Sequence, residues 1–506
     1  MITTHDVERI LREQGLLSRA DKNEEAAQIE WVTCDSREVV PGTLFICKGA
    51  EFLPEYLLEA VAYGCIAYMS EERWGTPKSV RGFIVKDIRR AMAVVSAAFF
   101  AYEPGEPKLT GITGTKGKTT TAWYLRAMLD EWQREKGKKR TGLISSVENF
   151  DGADRSDAVM TTPEAPVLYE MIARAKEVGS EYMTIETSSQ ALRYHRVDGL
   201  RFQVGVFLNI SEDHISPSEH RDFKDYFDAK MAIFQQCETA CVNLDSDHAQ
   251  RILKEAQKAK TVVTFGQHYG AQVRYRILPE KNHRQTFEVT CPQFTEQFSL
   301  KMQGSFNIEN AVAAIAAANV YGVPVHCMKK ALEDTAVPGR MEVFTSRDQK
   351  ICAIVDYAHN QLSFQKLFQT VFQEYRSYQK IVTVFGCPGG KAYNRRRELG
   401  VLAGMFSDCV YVTSDDPGVE DVSEIADEVG SYVEMAGGAC VCIADRRIAI
   451  RTALEKAGAD PEKTLILILG RGSEKFQKIG RRLYAYPTDS SIVRELMAVS
   501  AQGCGV

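Results

Sequence analysis

The sequence GITGTKGKTTT, from Gly111 to Thr121, carries a short apolar segment into two glycines and then into Lys-Thr-Thr at the start of a helical pattern. Glycines at 114 and 117 let backbone N–H groups point at one place, and the following helix adds the positive end of its dipole. Lys118 adds a mobile charge, and Thr119 or Thr120 can place a hydroxyl on a magnesium ion. The strict Walker spacing is not met, because position 112 is Ile. This stretch predicts a phosphate-binding loop between a strand and a helix.

The length and composition indicate a large enzyme without a special environment. A chain of 506 residues predicts about three domains. The net charge of −5, with both signs interspersed, argues against a nucleic-acid partner and a basic membrane face. The 13 cysteines form no CxxC pair, which gives neither a disulfide framework nor a zinc signature. The polar N-terminus and the lack of a long apolar run predict a cytoplasmic protein without membrane insertion, and we expect a monomer.

The pattern along the chain predicts an α/β protein of three domains. Residues 1–106 mix short strands and helices and form a small N-terminal α/β domain that ends in a turn-rich linker. Residues 107–336 alternate buried strands with amphipathic helices, as in a parallel sheet, with an antiparallel appendage over 272–303. Residues 337–506 alternate again and form a C-terminal Rossmann-like domain.

Polar residues follow two of the predicted central strands. Tyr182 to Ile185 runs into Glu186, and Val204 to Ile210 leads to Asp213 and His214. Open α/β sheets bind ligands at the carboxyl ends of their strands. Magnesium prefers oxygen ligands, so these strand ends predict metal positions beside the phosphate loop rather than a zinc site.

Seven motifs in order resemble the Mur ligases, and among them most closely the type that adds the third residue of the peptidoglycan stem peptide. The Asp35-Ser36-Arg37 triplet also resembles the UDP-binding domain of that type. The motifs are GITGTKGKTTT at 111–121, TTPE at 161–164, ETSSQAL at 186–192, DHI at 213–215, YFDAK at 226–230, VPGR at 337–340 and DYAH at 356–359.

This resemblance implies an ATP-dependent amide ligase. The γ-phosphate of ATP would pass to the terminal carboxylate of UDP-MurNAc-dipeptide, and the amine of a diamino acid would attack the resulting acyl phosphate. Lys118, Glu186, His214 and Lys230 are the implied catalytic residues. Two magnesium ions are implied, with Thr119, Glu186 and His214 as ligands and with Lys230 carbamylated by CO₂ to give an anionic oxygen ligand.

The resemblance also implies where the substrates bind. Ser36 would contact uracil, and Arg196 would bind the diphosphate and muramoyl region together with three hydroxyls, those of Thr161, Thr162 and Ser188. The phosphate loop, the helix that begins near Asn307 and the C-terminal domain would close over ATP. The implied ATP-binding residues are Gly114, Thr115, Lys116, Gly117, Lys118, Thr119, Thr120, Asn307, Asn310, Arg340 and Asp356.

One motif favours a particular amino acid as the residue that the ligase adds. The diaminopimelate-adding branch carries Asp-Asn-Pro-Arg, whereas this chain reads Asp415-Asp416-Pro417-Gly418. A second carboxylate without an arginine suits a side chain that ends in an ammonium group, which favours L-lysine. Ornithine satisfies the same logic, and diaminopimelate stays an alternative. The predicted amino-acid-binding residues are Arg396, Asp415, Asp416, Gly470 and Glu474.

Two departures from the family pattern leave alternatives open. Lys116 replaces an Asn in the phosphate loop, and Gln190 replaces a His. A paralogue with an altered substrate is therefore possible. A folylpolyglutamate synthase shares the amide chemistry but would lack the first hundred residues, and a non-enzymatic scaffold would require a damaged site.

Overall fold

The computed structural model describes residues 2–21, 25–49, 52–212, 215, 219–281 and 284–497. The chain divides into two compact units. The first comprises Met1–Ser211, Lys224–Arg274 and Ala313–Met328, and the second comprises Glu212–Phe223, Tyr275–Val312 and Lys329–Val506. The mixed α/β class is confirmed, whereas the domain bounds 1–106, 107–336 and 337–506 stay a prediction. Among the described residues, no helix has the length and apolar character needed to cross a membrane.

The N-terminal part of the first unit folds around a five-stranded sheet. Its elements are β1 (Ile2–Thr3), α1 (Thr4–Glu13), β2 (Leu17–Ala20), β3 (Gln28–Ile29), β4 (Trp31–Thr33), a 3-10 turn (Ser36–Glu38), β5 (Thr43–Ile46), α2 (Pro54–Ala62), β6 (Ala67–Ser70), β7 (Arg81–Val85) and α3 (Ile88–Phe99). The sheet order is β2-β7-β6-β5-β4, with only β2 antiparallel to its neighbour. Asp87 caps α3 by accepting hydrogen bonds from two backbone N–H groups, as side-chain carboxylates do at helix starts.

The central sheet of the first unit carries the phosphate loop. Its elements are β8 (Lys108–Thr113), α4 (Lys118–Glu135), β9 (Gly142–Ile144), β10 (Glu148–Phe150), β11 (Arg155–Asp157), α5 (Ala165–Glu177), β12 (Tyr182–Glu186), α6 (Ser189–Arg193), β13 (Phe202–Phe207), α7 (Phe223–Met231), a 3-10 turn (Ala232–Gln235), β14 (Cys237–Asn243), α8 (Ala249–Ala256), β15 (Thr261–Gly266) and β16 (Val273–Lys281). Strands β9-β12-β8-β13-β14-β15-β16 are parallel in this order. Every residue of β12 is buried, as expected for a strand covered on both faces.

One predicted strand ends earlier than its apolar run. We predicted a strand over Val204 to Ile210, but β13 stops at Phe207. The backbone of the next residues turns to the phosphate loop instead, because Leu208 donates to the carbonyl of Thr113 and the Asn209 carbonyl accepts from Thr115. Hydrophobicity alone does not distinguish a strand from a buried loop of this kind.

The second unit contains the antiparallel segment and the C-terminal sheet. The segment comprises β17 (Arg284–Thr290) and β18 (Thr295–Leu300), which pair as predicted. Two helices follow, α9 (Ser305–Tyr321) and α10 (Val325–Asp334), of which Ala313–Met328 belongs to the first unit. The remaining elements are β19 (Glu342–Thr345), β20 (Ile351–Asp356), α11 (Gln361–Glu374), β21 (Lys380–Phe385), α12 (Asn394–Phe406), β22 (Cys409–Val412), α13 (Val422–Met435), β23 (Cys440–Cys442), α14 (Arg446–Ala459), β24 (Thr464–Leu469), β25 (Phe476–Ile479), β26 (Arg482–Ala485) and α15 (Asp489–Leu496).

The C-terminal sheet brings three loop regions to one edge. Its order is β19-β20-β24-β21-β22-β23, and all strands but β19 are parallel. Two separate apolar clusters pack against it, one including Phe364 and Phe385 and the other including Tyr411 and Ile450. The segments that follow β20, β22 and β24 therefore lie at the carboxyl ends of neighbouring or near-neighbouring strands, where an open α/β sheet binds its ligands.

Candidate active site

The phosphate loop connects β8 to α4 in the predicted way. Gly117 is the N-cap residue of α4 with φ 89°, a backbone conformation that favours glycine. Gly114 has φ 153°, and a Cβ there would lie 2.9 Å from the Cβ of Leu208. The first residue of α4 is Lys118, whose Nζ donates to the carbonyls of Gly114 (2.8 Å) and Thr115 (3.2 Å). The lysine thus lies folded over the loop that would hold the phosphates.

Asn209, which the sequence analysis missed, holds this loop in place. Its Oδ1 accepts from the backbone N–H of Lys116 (2.9 Å), and its Nδ2 donates to the carbonyl of the same residue (3.1 Å). The hydroxyl of Tyr226 is 3.0 Å from Oγ1 of Thr115. Because Asn209 contacts the backbone of position 116, these contacts are available to lysine as well as to asparagine. The signal that could have located Asn209 is its position just after a buried strand.

Glu186 ends β12 beside the start of α4. The residue is fully buried, and its Oε2 accepts from Oγ1 of Thr119 at 3.0 Å. Its Oε1 accepts from the backbone N–H of Ser146 at 2.8 Å, a contact that the sequence did not predict. Two of the predicted magnesium ligands therefore lie together, and both present oxygen.

Lys230 reaches the same loop from α7. Its side chain is buried, with 1% exposed, and its Nζ donates to the carbonyl of Gly114 at 2.9 Å. Lys118 donates to the same carbonyl, so two ammonium groups converge on one oxygen. His214 and Asp213 lie outside the described residues.

A network of short polar contacts extends from Glu186 to Arg196. Thr162 donates from Oγ1 to the backbone carbonyl of Glu186 (2.7 Å) and accepts from the backbone N–H of Ser188 (3.1 Å). Arg196 donates from Nη1 to the carbonyl of Thr162 (3.2 Å). Thr161 joins the network at Ser146, whose hydroxyl donates to it (3.1 Å). Four residues predicted for the diphosphate and muramoyl region therefore adjoin the metal-ligand pair.

Glu164 lies between two cations at this site. Its Oε1 is 3.0 Å from Nη2 of Arg196 and 2.8 Å from Nζ of Lys48. Burial by itself would raise the pKa of the Glu164 carboxyl, but Arg196 and Lys48 outweigh burial and lower it. Ser36, the predicted uracil contact, donates its hydroxyl to Glu59 at 2.6 Å.

In the second unit, three carboxylates surround one guanidinium. Nη1 of Arg471 is 3.1 Å from Asp415 and 2.8 Å from Asp416, and Nη2 is 3.2 Å from Glu474. Arg471 is fully buried. We expected no guanidinium at the Asp-Asp-Pro-Gly motif, and Arg471 corrects this expectation. An arginine 55 residues downstream carries no local signal, and only the parallel pairing of the sheet brings the segments together.

Two carboxylates of this cluster, those of Glu474 and Asp415, have a raised pKa. Burial raises the pKa of Glu474 to about 7, with Arg471 acting against it and the two aspartates adding to it. Burial also raises the pKa of Asp415, again against Arg471. The hydroxyl of Tyr357 donates to Oε1 of Glu474 at 2.9 Å. With all groups ionised, three carboxylates face one guanidinium, and the cluster stays negative.

Several other predicted binding residues lie in two places, around the end of β20 and on α9. Asp356 ends β20, and its carboxylate accepts from the backbone N–H groups of Met341 (2.8 Å) and Ala358 (2.8 Å). Gly470 donates its N–H to the carbonyl of Asp356 (3.2 Å), and Arg340 stacks 4.2 Å from the ring centre of Tyr357. On α9, Asn310 Nδ2 is 3.4 Å from Asn307 Oδ1, and both residues are buried.

Arg396 is engaged differently from our expectation. We expected this arginine to bind the α-carboxylate of the amino acid. In the structure its guanidinium pairs with Glu420 (2.6 Å) and Glu428 (2.7 Å), and the residue is buried. A substrate carboxylate would have to replace one of these partners.

Comparisons with known proteins identify the family of the chain. The family model described as the Mur ligase middle domain matches residues 112–318, and the one described as the Mur ligase glutamate ligase domain matches residues 339–472. The chain is 33% identical over 510 residues to a UDP-N-acetylmuramyl-tripeptide synthetase of Lactobacillus acidophilus, covering 96% of both chains. It is 35% identical over 468 residues to the UDP-N-acetylmuramoyl-L-alanyl-D-glutamate–L-lysine ligase of Streptococcus pneumoniae, covering 92% of both.

A solved structure shares the fold. The MurF ligase of Thermotoga maritima in complex with ADP has a TM-score of 0.60 at 18% identity, over 88% of this chain and 94% of that chain. Because the relatives at 33–35% identity cover 92–96% of this chain, their matches include most of the first hundred residues, which a folylpolyglutamate synthase was expected to lack. The motifs, the fold and these full-length matches together establish that the chain belongs to the Mur ligase family.

Proposed function

We propose that the protein joins L-lysine to the D-glutamate carboxylate of UDP-MurNAc-L-Ala-D-Glu with ATP, giving the UDP-MurNAc-tripeptide, ADP and phosphate. The observation that carries the proposal is the convergence of Lys118, Thr119, Glu186 and Lys230 on one phosphate loop. It is the arrangement of an intact phosphoryl-transfer site in a family of ligases. Full-length relatives with tripeptide-synthetase and lysine-ligase names support the substrate assignment.

The reaction proceeds in two steps. A carboxylate oxygen of D-glutamate attacks the γ-phosphorus of ATP, the bond to the β-phosphate oxygen breaks, and an acyl phosphate and ADP form. The lysine amine then attacks the acyl carbon, the carbon–oxygen bond to phosphate breaks, and phosphate and a proton leave. Lys118 and the loop amides stabilise the charge that spreads over the phosphoryl oxygens during the first step. In the second unit, Asn307, Asn310, Arg340 and Asp356 stay proposed contacts of the nucleotide.

Thr119 and Glu186 fit magnesium. Both present oxygen, the donor that this ion prefers, and the Glu186 carboxylate is fully buried, where a cation offsets the cost of its charge. Thr119 and Glu186 would hold the ion, with His214 proposed for the second of two positions. When bound, magnesium neutralises phosphate charge and thereby favours phosphoryl transfer.

The surroundings of Lys230 fit a carbamate. A buried ammonium is costly, and here a second ammonium, that of Lys118, donates to the same carbonyl of Gly114. Reaction of the neutral amine with CO₂ replaces the cation by an anion, which would remove this like-charge proximity. The carbamate would also supply an anionic oxygen ligand.

The network around Glu164 fits the nucleotide-sugar substrate. Arg196 and Lys48 bring two positive charges to one carboxylate, and a diphosphate could compete for the same cations. The hydroxyls of Thr161, Thr162 and Ser188 suit the sugar. Ser36 stays the proposed uracil contact.

The carboxylate cluster supports lysine as the added amino acid. Arg471 offsets one of three negative charges, so Asp416 and Glu474 can still attract an ammonium group. A distal carboxylate, as in diaminopimelate, would meet these acids instead. Gly470 supports the cluster sterically, because a Cβ at this position would lie 2.6 Å from Oδ2 of Asp415. Ornithine satisfies the same electrostatics, and diaminopimelate is the alternative that the experiments must exclude. The cytoplasmic location and the monomeric state stay predictions.

Phosphate release tests the proposed reaction. We expect release only when ATP, UDP-MurNAc-L-Ala-D-Glu and lysine are all present, together with a product of tripeptide mass. Replacing the nucleotide sugar by a folyl-glutamate tests the rival ligase class. Turnover with the folyl substrate alone, or phosphate release without a tripeptide, would contradict the proposal.

A further inference from the structure

A second cluster of metal-ligating side chains lies at the far end of the phosphate-loop helix. Glu135 is the last residue of α4, and His326 and Cys327 lie in the first turn of α10. The residues are separated by about 190 positions in the chain and belong to the same compact unit. They play no part in the proposed reaction.

The three donor atoms form a nearly regular triangle. Nε2 of His326 is 3.0 Å from Oε2 of Glu135, and Sγ of Cys327 is 3.4 Å from each of these two atoms. Zinc bonds of about 2.0 Å to nitrogen or oxygen and about 2.3 Å to sulfur, at tetrahedral angles, place such donors about 3.3 to 3.5 Å apart. The triangle therefore has the size of one face of a tetrahedral zinc site.

The exposure of the three residues leaves room for a metal ion. Cys327 is fully buried at the base of the triangle, whereas the side chains of His326 and Glu135 are 67% and 39% exposed. A metal seated on this face would contact all three donors and keep one position open to water, as in sites with three protein ligands.

The helix ends favour a cation beside Glu135 and an ionised thiolate at Cys327. Glu135 places a carboxylate at the C-terminal, negative end of α4, where a negative side chain is unfavourable unless a cation accompanies it. Cys327 lies at the positive end of α10, which stabilises a thiolate ligand. The neighbouring Arg134 is engaged by Glu131 at 2.6 Å, and Lys136 lies over the ring of Trp132.

We propose that Glu135, His326 and Cys327 bind a divalent transition metal of the zinc class that ties the end of α4 to the start of α10. The mixed oxygen, nitrogen and sulfur donors select zinc or cobalt over magnesium, which prefers oxygen alone. The site is distinct from the magnesium positions at the phosphate loop. Its role is to hold the C-terminal end of α4 to the first turn of α10, whose residues up to Met328 belong to the same compact unit.

Cobalt titration of the metal-free, full-length chain without a histidine tag tests this site. We expect one equivalent of Co²⁺ to give a thiolate charge-transfer band in the near ultraviolet, which Zn²⁺ displaces. Cys327→Ser should abolish the band, and the exposed His326→Ala should weaken binding by tenfold or more. Cys442→Ser, at an exposed thiol elsewhere, and Glu131→Gln, on the same helix, are matched controls that should keep the band.

Zn²⁺ should also raise the melting temperature of the wild-type chain and of both controls, but not that of Cys327→Ser. Absence of the band in the wild-type chain would overturn the proposal. A band of unchanged strength in His326→Ala or Cys327→Ser would overturn it as well. Because His326 is exposed, we expect its replacement to leave the fold intact. A weaker band in this variant then reports the loss of a metal ligand rather than unfolding.

Discussion

At the scale of single residues, Lys118 has the most direct role in the proposed chemistry. Its Nζ lies over the loop, 2.8 Å from the carbonyl of Gly114, where phosphate oxygens would attract it. We expect Lys118→Ala to lower kcat/KM by about 100-fold or more, because the charge that stabilises the transferring phosphoryl group is removed. Steady-state phosphate release measures this loss.

Lys116 offers the matched control for Lys118. Asn209 contacts the backbone of position 116, which a side-chain replacement leaves in place. Lys116→Ala should therefore change kcat/KM by less than about tenfold. Equal losses in the two variants would contradict the assignment of the phosphate contact to Lys118.

Replacement of Lys230 tests whether this side chain acts as a carbamate. Lys230→Ala should lose most activity, and short carboxylates such as formate or acetate should partly restore it, because they supply the missing anionic oxygen. Lys224→Ala, an exposed position on the same helix that pairs with Asp228, should keep full activity and show no rescue. Full activity of Lys230→Ala would remove the carbamate from the mechanism.

Glu474 should give the proposed amino-acid site a pH dependence. Its pKa is raised to about 7, so the carboxylate gains its charge as pH rises through neutrality, while the ε-ammonium of lysine stays charged. We expect the KM for lysine to fall on the order of tenfold from about pH 6 to about pH 8. Glu474→Gln should raise KM and remove this dependence.

Glu374 provides the control for this pH profile. It is another carboxyl group of the second unit whose pKa burial raises to about 7, and it accepts a hydrogen bond from Gln285 at 2.6 Å rather than from the cluster of Arg471. Glu374→Gln should keep the wild-type dependence of KM on pH. A flat profile in the wild-type enzyme would contradict the role of Glu474.

At the scale of elements, the local patterns predicted the helices and strands that position the site. The apolar runs that end at Glu186 and Asp356 form β12 and β20, and the glycines at 114 and 117 begin α4 as expected. Contacts between distant segments were not predictable. Asn209, Ser146 and Arg471 act through long-range pairing, which no local periodicity reports.

The buried pair of Arg446 and Asp489 links two C-terminal helices. Both side chains are fully buried, and Nη2 of Arg446 is 2.7 Å from Oδ2 of Asp489. Asp489→Ala leaves a buried guanidinium without its carboxylate and should cost about 3–5 kcal/mol of folding free energy. Chemical denaturation followed by a probe in the C-terminal part measures the shift.

The exposed pair of Lys224 and Asp228 is the control for this change. Asp228→Ala should cost less than about 1 kcal/mol, because solvent screens exposed ion pairs. Equal costs in the two variants would show that burial does not set the strength of the C-terminal pair.

At the scale of the whole molecule, the order of motifs carried more information than any single motif. The α/β class and the family were predictable because the motifs extend through most of the chain. The strands and helices confirm the class, and the full-length relatives confirm the family. The balance of charge at the amino-acid site was not predictable, since the sequence suggested uncompensated acids and the fold added Arg471. The prediction of lysine therefore depends on the net charge of this cluster. Three carboxylates and one guanidinium leave an excess of two negative charges when all are ionised.

The measurement that tests lysine specificity most directly is phosphate release with lysine, ornithine and meso-diaminopimelate under identical conditions. We expect turnover with lysine at a kcat/KM about 100-fold or more above that for diaminopimelate, because the distal carboxylate of diaminopimelate would meet Asp416 and Glu474. Asp416→Asn should lower the ratio of kcat/KM for lysine to kcat/KM for diaminopimelate. Efficient turnover with diaminopimelate and none with lysine would contradict the account.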